Sequence, residues 1–73
     1  MANNRPLDAL EKAKEKKIIV KLKNGEEIIG NLKAADLHLN LWLYDVEISN
    51  QNERKKVEEI LIRGDSISYI VTA

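Results

Sequence analysis

The sequence predicts a mostly β protein, in which a short N-terminal helix is followed by a five-stranded, strongly bent antiparallel sheet that forms a small open barrel. Three observations lead to this prediction. Apolar residues alternate with other residues in several short stretches, which is the period of a β-strand. Asn24-Gly25 separates two such stretches and is typical of a hairpin turn. Gly30 lies inside a strand pattern, where a glycine indicates a sharp bend.

The elements can be assigned in chain order. A helix is expected over about residues 5–14, because Pro6 suits a first helical turn and Leu7 and Leu10 share one face. Polar segments that separate the later strands predict loops at residues 36–40 and 49–54. The five strands are expected at residues 18–23, 27–34, 41–49, about 55–62 and 66–71.

The last two strands carry apolar residues at both sets of alternating positions, which are called here the two parities of a strand. The residues expected to line the core are Val57, Leu61, Ile67, Tyr69 and Val71, and the apolar residues of opposite parity are Ile60, Ile62 and Ile70. A half-exposed strand normally keeps one face polar. A chain of 73 residues has little left with which to cover a second apolar face, so another subunit is the simplest cover.

Composition bounds the function. The chain has room for one domain, residues 1–73, and it contains no cysteine and one histidine, so no cofactor or metal site is expected. Twelve basic residues balance twelve acidic ones, which counts against binding to nucleic acid through a general positive field. No apolar run approaches the roughly 20 residues of a membrane span, and residues 1–14 lack the apolar block of a secretory signal. A cytoplasmic location is the default.

Two segments resemble the motifs of the Sm family, specifically of the archaeal Sm-like (LSm) proteins. The N-terminal Arg5-Pro6-Leu7-Asp8 with Leu10 is similar to the usual helical start of that family. The first Sm motif, about residues 17–49, is carried by Lys23-Asn24-Gly25, Gly30, Leu32, Asp36, His38, Asn40, Leu41, Leu43, Asp45 and Glu47. The second, about residues 55–71, is carried by Ile60-Leu61-Ile62-Arg63-Gly64-Asp65, Ile67 and Tyr69-Ile70.

The resemblance implies a homo-oligomeric ring, usually of seven subunits, in which the fourth strand of one subunit pairs with the fifth strand of its neighbour. This agrees with the two-faced apolar pattern of those strands. The chain departs from the family at four positions, Ala35, Leu39, Trp42 and Tyr44.

The resemblance also implies a site for single-stranded, uridine-rich RNA at a central pore, with a role in RNA processing or RNP assembly. His38 and Arg63 would stack on the two faces of a base, and Asn40 would bond its edge. The Gly64 backbone would approach the base closely. An acceptor-only carboxylate must hold the Asn40 amide in one orientation; Asp65 or Asp36 could do so, and the prediction is Asp65, with Asp36 bracing its own loop.

Two other functions remain open. A ring that serves as a protein-interaction scaffold would not need the pocket. An enzyme would need a nucleophile or a metal shell beside Asp36 and His38, and the sequence offers neither. Trp42 and Tyr44 are interpreted as packing residues, with a second stacking platform as the alternative.

Overall fold

The chain forms one short helix and five strands that are wound into a single sheet. The computed structural model describes residues 5–72. Its elements are α1 (Pro6–Lys12), β1 (Lys17–Leu22), β2 (Glu27–Ala35), β3 (Leu41–Ser49), β4 (Arg54–Ile62) and β5 (Ile67–Val71), with a 3₁₀ turn over Gly64–Ser66.

The sheet is antiparallel throughout, and its strands lie in the order β4-β3-β2-β1-β5. The predicted fold class is therefore confirmed. The sheet does not close within one chain, because β4 and β5 lie at opposite ends of that order and each pairs with a single strand among residues 5–72.

The helix is shorter than predicted. Pro6 occupies its first turn, and the Asp8 carboxylate accepts a hydrogen bond from the Arg5 backbone N–H at 3.1 Å. The helix ends at Lys12 rather than near residue 14, and Glu15 takes a positive φ of 65° that turns the chain into β1. Leu10 and Ala13 are buried and attach the helix to the core.

The predicted hairpin between β1 and β2 is present, with a three-residue turn. Only Gly25 adopts a positive φ, 96°, and its N–H donates to the Leu22 carbonyl at 3.0 Å. Asn24 stabilises the turn differently, because its side-chain oxygen accepts from the Glu26 backbone N–H at 2.9 Å.

A bend in β2 and β3 wraps the sheet around its core. Asp45 has a φ of 52°, and the buried positions of β3 change parity there, from Leu43 to Val46. Gly30 lies opposite this bend, where a Cβ atom would come within 3.0 Å of the Val46 side chain. The core enclosed by the bend consists of Leu10, Ala13, Ile18, Val20, Ile28, Leu32, Leu41, Leu43, Val46 and Ile62.

The predicted burial of β4 and β5 is wrong in part. Val57 and Ile67 pack against the core as expected, but Leu61, Tyr69 and Val71 are 76%, 53% and 38% exposed. Ile62 is only 5% exposed, and the remaining apolar residues of its parity, Ile60 and Ile70, are partly buried against the core.

The cause is backbone geometry. Strand β4 follows β3 around the bend without a register shift, with Leu43 opposite Ile60 and Val46 opposite Val57, so the parity change of β3 is passed to β4. Strand β5 changes parity because its pairing with β1 shifts by one residue between Lys21 and Leu22.

The outer face of the sheet is tied to the helix connection. The Tyr44 hydroxyl donates to the Glu15 carboxylate at 2.6 Å, and this hydrogen bond raises the pKa of Tyr44 above its ordinary value. The tie joins β3 to the segment that links α1 to β1. As for membranes, no helix within residues 5–72 has the length and apolar character of a span.

The register of β2 can be tested by two substitutions at adjacent positions. Leu32 is fully buried, so Leu32→Ala should lower the free energy of unfolding by about 2–5 kcal/mol. Lys33 points the other way and is exposed, so Lys33→Ala should cost less than about 1 kcal/mol. Urea unfolding of both variants at one protein concentration measures the difference, and equal costs would contradict the register.

Candidate nucleic-acid interface

The first candidate loop, residues 36–40 between β2 and β3, is organised by Asp36. Its Oδ1 accepts hydrogen bonds from the backbone N–H groups of His38 and Asn40, at 2.9 and 3.0 Å. The Asp36 N–H donates to the Asn40 carbonyl at 3.2 Å, and Leu39 takes a φ of 61° to close the turn. The loop is thus a tight turn built around one carboxylate.

The Asn40 side chain joins this loop to the second one, residues 63–66 between β4 and β5. Its Nδ2 donates to Asp36 Oδ2 at 3.0 Å, and its Oδ1 accepts from the Gly64 backbone N–H at 2.8 Å. Turning the amide over would place its NH₂ against the Gly64 donor and its oxygen against the Asp36 carboxylate. The orientation is therefore fixed, and one amide hydrogen and one oxygen lone pair remain for a ligand.

Gly64 is required by the close approach of the two loops. A Cβ atom at this position would overlap the carbonyl oxygen of His38. Any side chain at Gly64 would push the loops apart and break the hydrogen bond to Asn40.

Arg63 and Asp65 form an ion pair with each other. Arg63 Nη2 lies 3.0 Å from Asp65 Oδ2, and both side chains are exposed to solvent. The expectation that Asp65 orients the Asn40 amide is wrong, because Asp36 makes that hydrogen bond. Asp65 is an acceptor within the second motif, but it accepts a hydrogen bond from the guanidinium of Arg63, two residues earlier.

The structure therefore places Asp36, His38 and Asn40 next to Gly64, with the guanidinium of Arg63 at the same edge of the molecule. An open groove leads away from Asn40 and Arg63. Its other walls are formed by Ala34, Ala35, Asp36, Leu41, Trp42, Leu61 and Ile62.

Trp42 is one residue whose position the sequence interpretation missed. Trp42 is 38% exposed and lies on the outer face of the sheet, which leaves both the packing interpretation and the stacking alternative standing. Its departure from the family pattern was the only signal in the sequence. Within residues 5–72, no three His, Asp or Glu side chains are grouped so that they could hold a metal ion.

Comparison with known proteins identifies the class. The LSM domain model matches residues 8–72. A Sm-like protein of Archaeoglobus fulgidus is 41% identical over 70 residues, which covers 94% of this chain and 91% of the relative. One from Thermococcus kodakarensis is 44% identical over 64 residues, which covers 86% and 84%.

Solved structures that resemble this chain are also Sm proteins. The Sm protein of Pyrococcus abyssii, solved in complex with a uridine heptamer, superposes with a TM-score of 0.89 at 38% identity and covers 96% of this chain and 100% of that one. A heptameric archaeal Sm protein superposes with a TM-score of 0.84 at 30% identity and covers 90% of this chain and 97% of that one.

The chain therefore belongs to the LSM family of RNA-binding proteins. Within that family it is an archaeal-type Sm-like protein, as the resemblance implied. Membership of this non-enzymatic family also decides against the enzymatic alternative.

The Asp36 network predicts a specific acid sensitivity. Hydrogen bonds from the Asn40 side chain and then from the backbone lower the pKa of Asp36 below its ordinary value of 3.8. Because the folded-state pKa is the lower one, the stabilisation is complete above pH 3.8 and is lost as the pH falls through the folded pKa. The stability difference between the wild type and Asp36→Asn should shrink over this acid range in urea unfolding.

Asp65→Asn provides the matched control, since the Asp65 carboxylate bonds Arg63 rather than Asn40. This variant should keep the acid response that depends on Asp36. An Asp36→Asn protein that loses stability in acid as steeply as the wild type would contradict the assignment.

Proposed function

We propose that the chain is one subunit of a homo-oligomeric ring that holds single-stranded, uridine-rich RNA at its central pore. The observation that carries this proposal is the fixed orientation of the Asn40 amide between Asp36 and Gly64. The Pyrococcus abyssii relative, which was solved with a uridine heptamer, supports the choice of ligand.

The amide matches the edge of uracil. Uracil presents a ring N–H donor beside carbonyl acceptors, whereas cytosine presents a ring nitrogen acceptor beside an amino donor. The free lone pair of Asn40 Oδ1 accepts the uracil N–H, and the free Nδ2 hydrogen donates to a carbonyl. Cytosine would place a donor against a donor and an acceptor against an acceptor, and each unmade buried hydrogen bond costs about 1–3 kcal/mol.

The residues that flank Asn40 contact the two flat faces of the base. The exposed imidazole of His38 stacks on one face of the base, and the exposed guanidinium of Arg63 stacks on the other. The Gly64 backbone has no side chain to keep the base away. Asp36 acts through Asn40 as a supporting residue, and Asp65 holds Arg63 in place.

The ring follows from the two open edges of the sheet. An unpaired edge strand exposes a row of N–H and C=O groups that another chain can pair with. Pairing β4 of one subunit with β5 of the next uses different surfaces on the two sides, and such an interface closes into a ring when the rotation allows. The heptameric archaeal Sm protein that superposes on this chain favours seven subunits.

A ring also explains how a chain with no net charge could bind RNA. It repeats one Arg63 per subunit around the pore, so a protein with no net charge gains a local positive lining. Each neighbouring Asp65 tempers this field, so the dependence of binding on salt should be mild for each subunit. We propose a role in RNA processing or RNP assembly in the cytoplasm.

The assembly can be tested on β5. Tyr69 and Val71 are exposed in the single subunit, so Tyr69→Lys with Val71→Lys should spare its core but place charges where a neighbour would cover them. We expect the double variant to lose the ring mass in sedimentation at micromolar concentration, while the wild type keeps it.

Ile62 and Ile70 are unsuitable for this test. Ile62 is a core residue and Ile70 packs against the core, so a charge at either one would unfold the subunit itself. A folded wild-type monomer at the same concentration would refute the ring.

Base selectivity tests the pocket. Asp36→Asn should lower the ratio of oligouridylate to oligocytidylate affinity by about tenfold, because an asparagine at this position tolerates either orientation of the Asn40 amide. The Gly64 N–H still favours the native orientation, so some preference should survive. Binding measured at matched salt gives the ratio.

Asp65→Asn should leave the same ratio unchanged, and His38→Ala should weaken both RNAs by about 1–3 kcal/mol with the ring intact. If none of the three variants altered RNA binding, the ring would be a protein-interaction scaffold with an unused pocket.

A further inference from the structure

A second surface adjoins the candidate base pocket. The groove that starts at Asn40 and Arg63 continues along β3 to Trp42, the second residue of that strand, which lies two residues beyond Asn40 in the chain. Two strand residues span roughly 7 Å, a distance that neighbouring nucleotides of an unstacked strand can bridge. Ala34 and Ala35 line the groove between these points with methyl groups only, so the groove stays open.

The Trp42 indole is held in a defined position on the outer face of the sheet. Its Nε1 donates to the Glu59 carboxylate at 2.8 Å. The Lys33 ammonium lies 5.4 Å from the centre of the Trp42 ring and 5.6 Å from the centre of the Tyr44 ring. The ammonium lies over one face of the indole, so an aromatic ring that is fixed by a hydrogen bond offers its other face to a base, and the cation can meet the phosphate.

We propose that Trp42 stacks on the base of a second nucleotide of the RNA strand, next to the nucleotide held at Asn40, and that Lys33 contacts its phosphate. This inference rests on the proposed function and extends it from one base to two for each subunit. Stacking recognises any base face, so this second position accepts all four bases, whereas the position at Asn40 selects uracil.

The charges around Trp42 favour a nucleotide over a second copy of the chain. A neighbouring subunit that covered the indole would also have to desolvate the Lys33 ammonium and the Glu59 carboxylate at its edge. Burying such charges without new partners is costly. A phosphate supplies the partner of the ammonium, and the open groove leaves the carboxylate in water.

The chain contains one tryptophan, so its fluorescence, excited at a wavelength that the two tyrosines do not absorb, reports this position alone. We expect a seven-nucleotide oligouridylate to quench the emission of Trp42 in the wild-type assembly, with the same midpoint as binding measured from a label on the RNA. Binding without any change in emission would overturn the inference. A change in emission that follows dilution of the protein, and not addition of RNA, would show that a second copy covers Trp42 and would also overturn it.

Substitutions provide a second test of the Trp42 position. Trp42→Leu should weaken oligouridylate binding about 5- to 100-fold, the equivalent of one stacked base. Tyr44→Phe is the matched control, because it changes an aromatic residue of the same face that does not line the groove, and it should leave the affinity unchanged. Lys33→Gln should reduce the slope of log affinity against log salt by about 0.7 for each phosphate that the lysine no longer neutralises.

Asn40→Ala separates the failure of this inference from failure of the proposed function. If Asn40→Ala weakens binding and Trp42→Leu does not, the base pocket stands and the Trp42 position is refuted. If neither substitution weakens binding, the proposed function itself is refuted.

Discussion

The geometry of the candidate site depends on one side-chain amide. The Asn40 side chain joins the β2–β3 loop to the β4–β5 loop, where its oxygen accepts a hydrogen bond from the Gly64 N–H. The other end of the amide is held by Asp36, which has already organised its own loop through two backbone N–H groups. One carboxylate therefore sets the shape of the first loop, the orientation of the amide and, through the amide, the position of the second loop.

The sheet around this site follows from a second constraint, the bend at Asp45 and Gly30. The bend lets a chain of 73 residues enclose ten buried apolar side chains within residues 5–72, although a flat sheet of this size would have no inside. The ends of β2 and β4 meet through β3, because Leu41 is paired with Ala35 of β2 and with Ile62 of β4, so the loops that follow those two strands lie side by side. The same winding stops short of closure, so β4 and β5 keep free edges and the exposed Leu61, Tyr69 and Val71 lie beside them.

Much of this fold could be read from the residues, because strand alternation, the Asn24-Gly25 turn and Gly30 are local signals. The burial of β4 and β5 could not. It depends on a positive φ at Asp45, a residue type that carries no strong signal for it, and on a register shift between β1 and β5 that exists only after the strands pair. The candidate site residues were predicted from their family spacing. The choice between Asp36 and Asp65 was wrong because both are acceptors, and only the structure shows that Arg63 occupies one of them.

The tie between Tyr44 and Glu15 gives the molecule a second, opposite response to pH. Because the pKa of Tyr44 is raised, its contribution is complete below the ordinary value of 10.0 and is lost as the pH rises through the folded value. Strong alkali is therefore expected to break the hydrogen bond between Tyr44 and Glu15, which links β3 to the helix connection. Acid is expected to break the hydrogen bond between Asn40 and Asp36. Between these two pH ranges both hydrogen bonds are present, and each can be broken by a change of pH that leaves the other intact.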